Sequence, residues 1–147
     1  MFKTRKLLFL IPILGLALLT LSAFGAATTA APKDNPTVHV TEAGMSQKLD
    51  ITPVHPGKVT FVVANQDNVK HEAVLMKTDK APGALVMMSG AESKMDEDAS
   101  GVNSGEVEVE AGSSGTVTMD LKAGNYVLVC NEVDHYKAGM YTAFEVK

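Results

Sequence analysis

The chain has a single cysteine, Cys130. That excludes an intrachain disulfide, a lipoprotein-type cysteine at an export cleavage site, and any metal centre that needs two thiolates. Beyond residue 36 no long stretch keeps an i, i+3, i+4 apolar rhythm, which excludes a large helical component. Only one apolar run is long enough to span a bilayer, Leu7 to Leu21 continuing to Ala27. Cations are scarce as well. Apart from Lys3, Arg5 and Lys6, ten lysines face 17 acidic residues, so residues 28–147 carry a net charge of −7. That balance argues against nucleic acid as a partner and favours docking on a basic protein surface.

What is present begins with a targeting segment. Lys3, Arg5 and Lys6 form a basic start, an apolar run follows, and Ala23-Phe24-Gly25 offers small residues where a signal peptidase inspects the chain. Residues 1–27 therefore read as a signal peptide, cut after Gly25 or Ala27. An uncleaved N-terminal anchor is the second choice, and the only route by which this chain would meet a membrane. Either way the rest is exported: periplasmic or extracellular, or held at the outer face of a membrane. Residues 28–36 are an Ala/Thr/Pro linker with nothing to bury. Residues 37–147 are the usual size of one domain with one core.

Within that domain apolar residues alternate with period two, interrupted by Gly, Pro, Asn and Asp. Strands are predicted over Thr37–Thr41, Lys48–Ile51, Lys58–Ala64, His71–Met76, Glu106–Glu110, Thr116–Leu121, Tyr126–Cys130 and Thr142–Val146. Tyr126 to Cys130 is apolar on both faces, as a central strand should be. Seven or eight short strands at this spacing predict an all-β fold, an antiparallel β-sandwich. Thr78 to Gly105 is the exception, a turn-rich excursion containing Met87, Met88 and Met95.

The chemistry concentrates near the end of the chain. Cys130 is followed five positions later by His135 and five further by Met140, and His71 opens an upstream strand. Thiolate, imidazole and thioether are donors of graded softness that together suit copper; zinc seldom takes a thioether, and magnesium or calcium would require oxygens. A trigonal plane of two histidines and a cysteine, with a distant thioether, lies between the preferences of Cu(I) and Cu(II), so the ligands need move little on electron transfer. Ligation also explains an unpaired thiol outside the cytoplasm. Cys130 must then bind as thiolate, with both imidazoles neutral at the ligating nitrogen. Backbone N–H groups of Asn131 or Glu72 are candidates to donate to the sulfur. The bland alternatives are a buried cysteine acting as a small hydrophobe and a methionine capping the core. His39 and His55 read as structural or solvent-facing, and either would replace His71 if that assignment failed.

The run Gly124-x-Tyr126-x-Leu128-x-Cys130, then His135, then Ala138-Gly139-Met140, resembles the copper loop of the cupredoxins, with plastocyanin- and azurin-like proteins the nearest comparison. Asn65, the Asn-x-x-His of Asn68 to His71 and the closing Phe144-x-Val146 extend the likeness over Thr37 to Lys147. The loop departs from plastocyanin in placing four residues and no proline between Cys130 and His135, which is closer to azurin-like spacing. The resemblance implies a Greek-key sandwich with one type 1 copper ion at one end, held by His71, Cys130, His135 and Met140. It further implies a monomer that shuttles single electrons between redox partner proteins. His135 would be the electron port, opening through an apolar patch from Tyr136, Ala138 and residues 81–85. The rival readings are a periplasmic copper carrier serving an oxidase, which the methionines of residues 87–95 would favour, a copper enzyme, and a metal-free adhesive sandwich. The enzyme reading lacks the His-x-His pairs such sites often use.

Overall fold

A computed structural model describes residues 35–50, 54–90 and 93–147. The signal segment 1–27, most of the linker, and Ile51 at the end of the second predicted strand lie outside the described residues. Eight strands form: β1 (Thr37–Glu42), β2 (Gln47–Leu49), β3 (Gly57–Asn65), β4 (His71–Lys77), β5 (Val102–Val109), β6 (Ser114–Leu121), β7 (Gly124–Cys130) and β8 (Tyr141–Val146). Among the described residues helix is confined to a 3-10 turn at Pro82–Ala84 and one turn, α1 (Glu97–Ser100), capped by the Asp96 side chain. The strands make two four-stranded sheets, ordered β2-β1-β3-β6 and β5-β4-β7-β8. The β-sandwich expected from the alternation is what forms.

One pairing departs from the all-antiparallel expectation. β1 and β3 run parallel, from Thr37 opposite Thr60 to Glu42 opposite Asn65. The reason is two successive reversals. A two-residue turn at Gly44 and Met45, both at positive φ, folds β2 back on β1. The chain then returns through Val54, which bridges to Val146 of the other sheet, before β3 sets off in the direction of β1.

The core between the sheets takes one face of each strand, including Val38, Val40, Phe61, Val63, Leu75, Leu128 and Phe144. The intervening apolar residues of β4 and β7 do not meet solvent either. Val74, Met76, Val127 and Val129 join Leu85, Met95 and Tyr136 in a second apolar cluster. The excursion after β4 therefore covers the outer face of the β5-β4-β7-β8 sheet, which is why β4 and β7 are apolar on both sides. Met95 is 1% exposed and Met87 packs on the same cluster, while Met88 alone of the three is exposed. Two of the three thioethers that would suit copper acquisition are thus committed to packing.

Candidate metal centre

β4 begins at His71 and β7 ends at Cys130, and the two strands are neighbours in one sheet, with Ala73 opposite Cys130. Strand pairing therefore brings together residues 59 positions apart. The loop from Cys130 to Met140 closes on itself by main-chain bonds. His135 N–H donates to Glu132 O at 3.1 Å, Ala138 N–H to Asp134 O at 3.0 Å, and Met140 N–H to His135 O at 3.1 Å. Cys130 N–H donates to Met140 O at 3.0 Å, pinching the two ends together. Asp134 takes a left-handed φ of 65°, which a short polar side chain tolerates.

The result is a triangle of donor atoms. Cys130 Sγ stands 3.2 Å from His135 Nδ1 and 3.7 Å from His71 Nδ1, and the two Nδ1 atoms are 3.2 Å apart. The imidazole planes cross at 60°. The three side chains form a cluster able to hold a metal ion. The centre of the triangle is about 2.0 Å from each atom, a metal–imidazole bond length and slightly short of a metal–thiolate one. His71 and Cys130 are fully buried and His135 is half-buried. Met140 is also sealed from solvent, its main chain tied to both Cys130 and His135.

The electrostatics suit a cation. Burial pushes the Cys130 thiol up to about 11, against the pull of hydrogen bonds from the Glu72 and Glu132 main chain. Glu72 N–H lies 3.4 Å from Sγ, so of the two N–H groups considered from the sequence it is Glu72 that donates. The Asn131 side chain instead brackets Met95, accepting from its N–H at 2.7 Å. Without a metal the sulfur stays protonated at neutral pH, and a bound cation supplies the charge that ionises it. Burial, followed by the neighbouring His71, holds His135 below the usual imidazole range, favouring the neutral ring that ligation requires. The donor set therefore fits a soft-to-intermediate transition metal.

Lys70 pairs with Glu132 at 2.9 Å and Glu108 at 3.2 Å, and so ties the loop before His71 to the loop after Cys130. One expectation changes. Tyr136 does not contribute to an apolar surface. It is buried, its hydroxyl donating to Pro82 O at 2.8 Å and accepting from Leu85 N–H at 2.9 Å. Leu85 is buried too, whereas Ala138 and Val133 are exposed. His39 and His55 stand apart from the cluster, both exposed, His55 beside the Lys147 carbonyl. A residue not singled out from sequence is Asp67, whose Oδ2 meets His71 Nε2 at 2.9 Å. The bond from His71 holds its carboxyl below the usual range, helped by the Gly44 N–H. In the sequence it looked like ordinary turn chemistry.

Comparisons with known proteins bear on the family and the fold. A family model described as the Sulfocyanin (SoxE) domain matches residues 39–147. No curated protein matches significantly. Among solved structures, the chain is similar to dithionite-reduced auracyanin from the photosynthetic bacterium Roseiflexus castenholzii, at 18% identity over 77% of this chain and 98% of that one, TM-score 0.59. It is also similar to auracyanin A, a "blue" copper protein from the green thermophilic photosynthetic bacterium Chloroflexus aurantiacus, at 19% identity over 78% and 100% of the two chains, TM-score 0.56. Auracyanin B matches at 24% identity over 78% and 91%, TM-score 0.54. At such identities the likeness is one of fold.

Proposed function

The chain belongs to the sulfocyanin (SoxE) domain family of cupredoxins, and on that premise we propose that it binds one copper ion and carries single electrons between partner proteins. The ligands in this reading are His71, Cys130, His135 and Met140. The observation that carries it is the triangle of two Nδ1 atoms and a sulfur, all within 3.7 Å of one another. Bound copper supplies the one-electron couple.

The protein's own residues do the rest. Cys130 contributes the anionic sulfur, steadied by the Glu72 N–H. His71 enters from the rigid start of β4, closed to water. His135 sits half-exposed on the loop and is the shortest route from the centre to a partner. Met140, buried and tied through its main chain to Cys130 and His135, would supply a weak thioether donor. The packing of Met87 and Met95 leaves only Met88 of the methionines that would have favoured copper delivery, so electron transfer is the preferred role. The basic, apolar N-terminus supports export, and the acidic balance supports a partner with a basic docking surface.

Adding Cu(II) to the purified apoprotein tests the reading. An intense blue or green thiolate-to-copper band is expected from the wild type and not from Cys130→Ser or His71→Ala, both still folded by circular dichroism. A colourless product, or full colour in either variant, overturns the assignment. Ready loss of Cu(I) to a modest chelator would instead favour the carrier.

A further inference from the structure

Asp67 lies in the turn between β3 and β4, and four contacts fix it. Its N–H donates to Asn65 Oδ1 at 2.9 Å, and its carbonyl accepts from Gly112 N–H at 3.1 Å. Its carboxylate accepts from Gly44 N–H at 2.9 and 3.1 Å, and Oδ2 meets His71 Nε2 at 2.9 Å. Two other loops therefore meet the β3–β4 turn at this one residue: β1–β2 through Gly44 at its carboxylate and β5–β6 through Gly112 at its carbonyl, while Asn65 at the end of β3 holds its N–H. Asn65 is itself buried, its Nδ2 donating to Val69 O at 2.8 Å and Val109 O at 3.0 Å. Among the described residues no lysine lies within ion-pair distance of Asp67, so its charge is directed at the imidazole.

His71 is fully buried, and its two nitrogens are divided between two tasks. Nε2 faces Asp67 and Nδ1 faces Cys130 and His135. A carboxylate accepting from Nε2–H fixes the tautomer that leaves Nδ1 free to ligate. It also makes the ring a stronger donor, which favours the more highly charged oxidation state of a bound ion. We propose that Asp67 is a positioning residue for the metal centre, one that locks His71 in its ligating tautomer and lowers the reduction potential of the bound ion. The inference rests on the copper reading and adds a residue outside the ligand set.

The test compares Asp67→Asn and Asp67→Ala with wild type. The Asn variant keeps an acceptor oxygen for Gly44 and His71 and removes the charge. The Ala variant removes both and leaves a buried Nε2–H without a partner. In the apoprotein, nitrogen-15 NMR of the imidazole should show His71 protonated at Nε2 in wild type, with that single tautomer lost in the Ala variant. In the copper-loaded protein the Asn variant should have a raised potential with its visible band retained, and the Ala variant should bind copper roughly ten- to a hundredfold more weakly. Folded variants with wild-type potential, affinity and tautomer would show that Asp67 serves only the loop. If wild type forms no coloured copper centre, the functional reading fails, and the apoprotein tautomer still decides whether Asp67 sets His71.

Discussion

Gln47 Nε2 donates to Glu42 Oε1 at 2.8 Å, with both side chains buried at the end of β1. The other oxygen of each, Glu42 Oε2 and Gln47 Oε1, has no partner among the described residues. Two buried acceptors without donors are costly, and a proton on Glu42 turns one of them into a donor. Burial also raises the Glu42 carboxyl above its ordinary range, outweighing the bond from Gln47 and the influence of His71. The fold therefore holds the Glu42 proton more tightly than water would.

The pH dependence follows. The folded state holds this proton more tightly than the unfolded chain, whose glutamates release it near pH ~4.3. The stability is fully present below that pH and is lost as pH rises through the folded value. Glu42→Gln imitates the neutral acid and should remove the loss. The stability of the variant apoprotein relative to wild type should therefore grow from about pH 4.3 upward and then level off. Urea denaturation across that range measures it, and a pH-independent difference would refute the raised carboxyl.

A second prediction concerns Tyr136, the residue after His135. Tyr136→Phe leaves the Leu85 N–H and Pro82 carbonyl without the hydroxyl that serves both. The cost should be about 1–3 kcal/mol, that of stranding buried polar groups. The measurement is urea denaturation at fixed pH. A variant as stable as wild type would mean that the 82–85 turn is not anchored through this ring.

These residues show where sequence reading succeeds and stops. All eight strands are visible in the period-two pattern, because a sandwich buries alternate residues and leaves the pattern in the chain. The cysteine, two histidines and methionine stand out because soft donors at short spacing have few other uses. The parallel β1–β3 pair leaves no such trace, since direction depends on how many reversals separate two strands. Asp67 was equally hidden: a turn aspartate bonded to its own backbone and one aimed at a buried imidazole are the same letter. Tyr136 reads as a surface residue because it follows a loop histidine. Its burial depends on the 78–101 excursion folding over the outer sheet face, which no local pattern reveals.

The third prediction addresses the route of the electron. Ala138 and Val133 are exposed on the loop that carries His135, and Tyr136 is withdrawn from that surface. Ala138→Lys should slow electron exchange with a partner, because it places on the contact surface a charge that a basic docking surface repels, without touching a ligand. The visible spectrum should stay as in wild type. Stopped-flow exchange rates that do not move would put the port elsewhere.

Met140 gives the fourth. As a weak axial donor it should adjust the centre, with binding carried by the three atoms of the triangle. Met140→Leu removes a donor that stabilises the oxidised ion and makes the pocket drier, so the potential should rise with copper retained. Met140→Gln brings a harder oxygen and should lower the potential and shift the colour toward green. Redox titration at fixed pH reads both, and two unmoved potentials would make Met140 a core residue.

The distribution of the proposed ligands along the chain also bears on the order in which the protein assembles. Cys130, His135 and Met140 lie on one continuous loop, whereas His71 joins them only when β4 and β7 pair. An unfolded chain thus retains a three-donor peptide able to grip a metal before any sheet exists. Such gripping stabilises the unfolded state as well and offsets part of the gain from native binding. Thermal midpoints should therefore rise less with added copper than the native affinity alone dictates. Loading can precede folding, with the metal held at residues 130–140 while the strand bearing His71 closes over it.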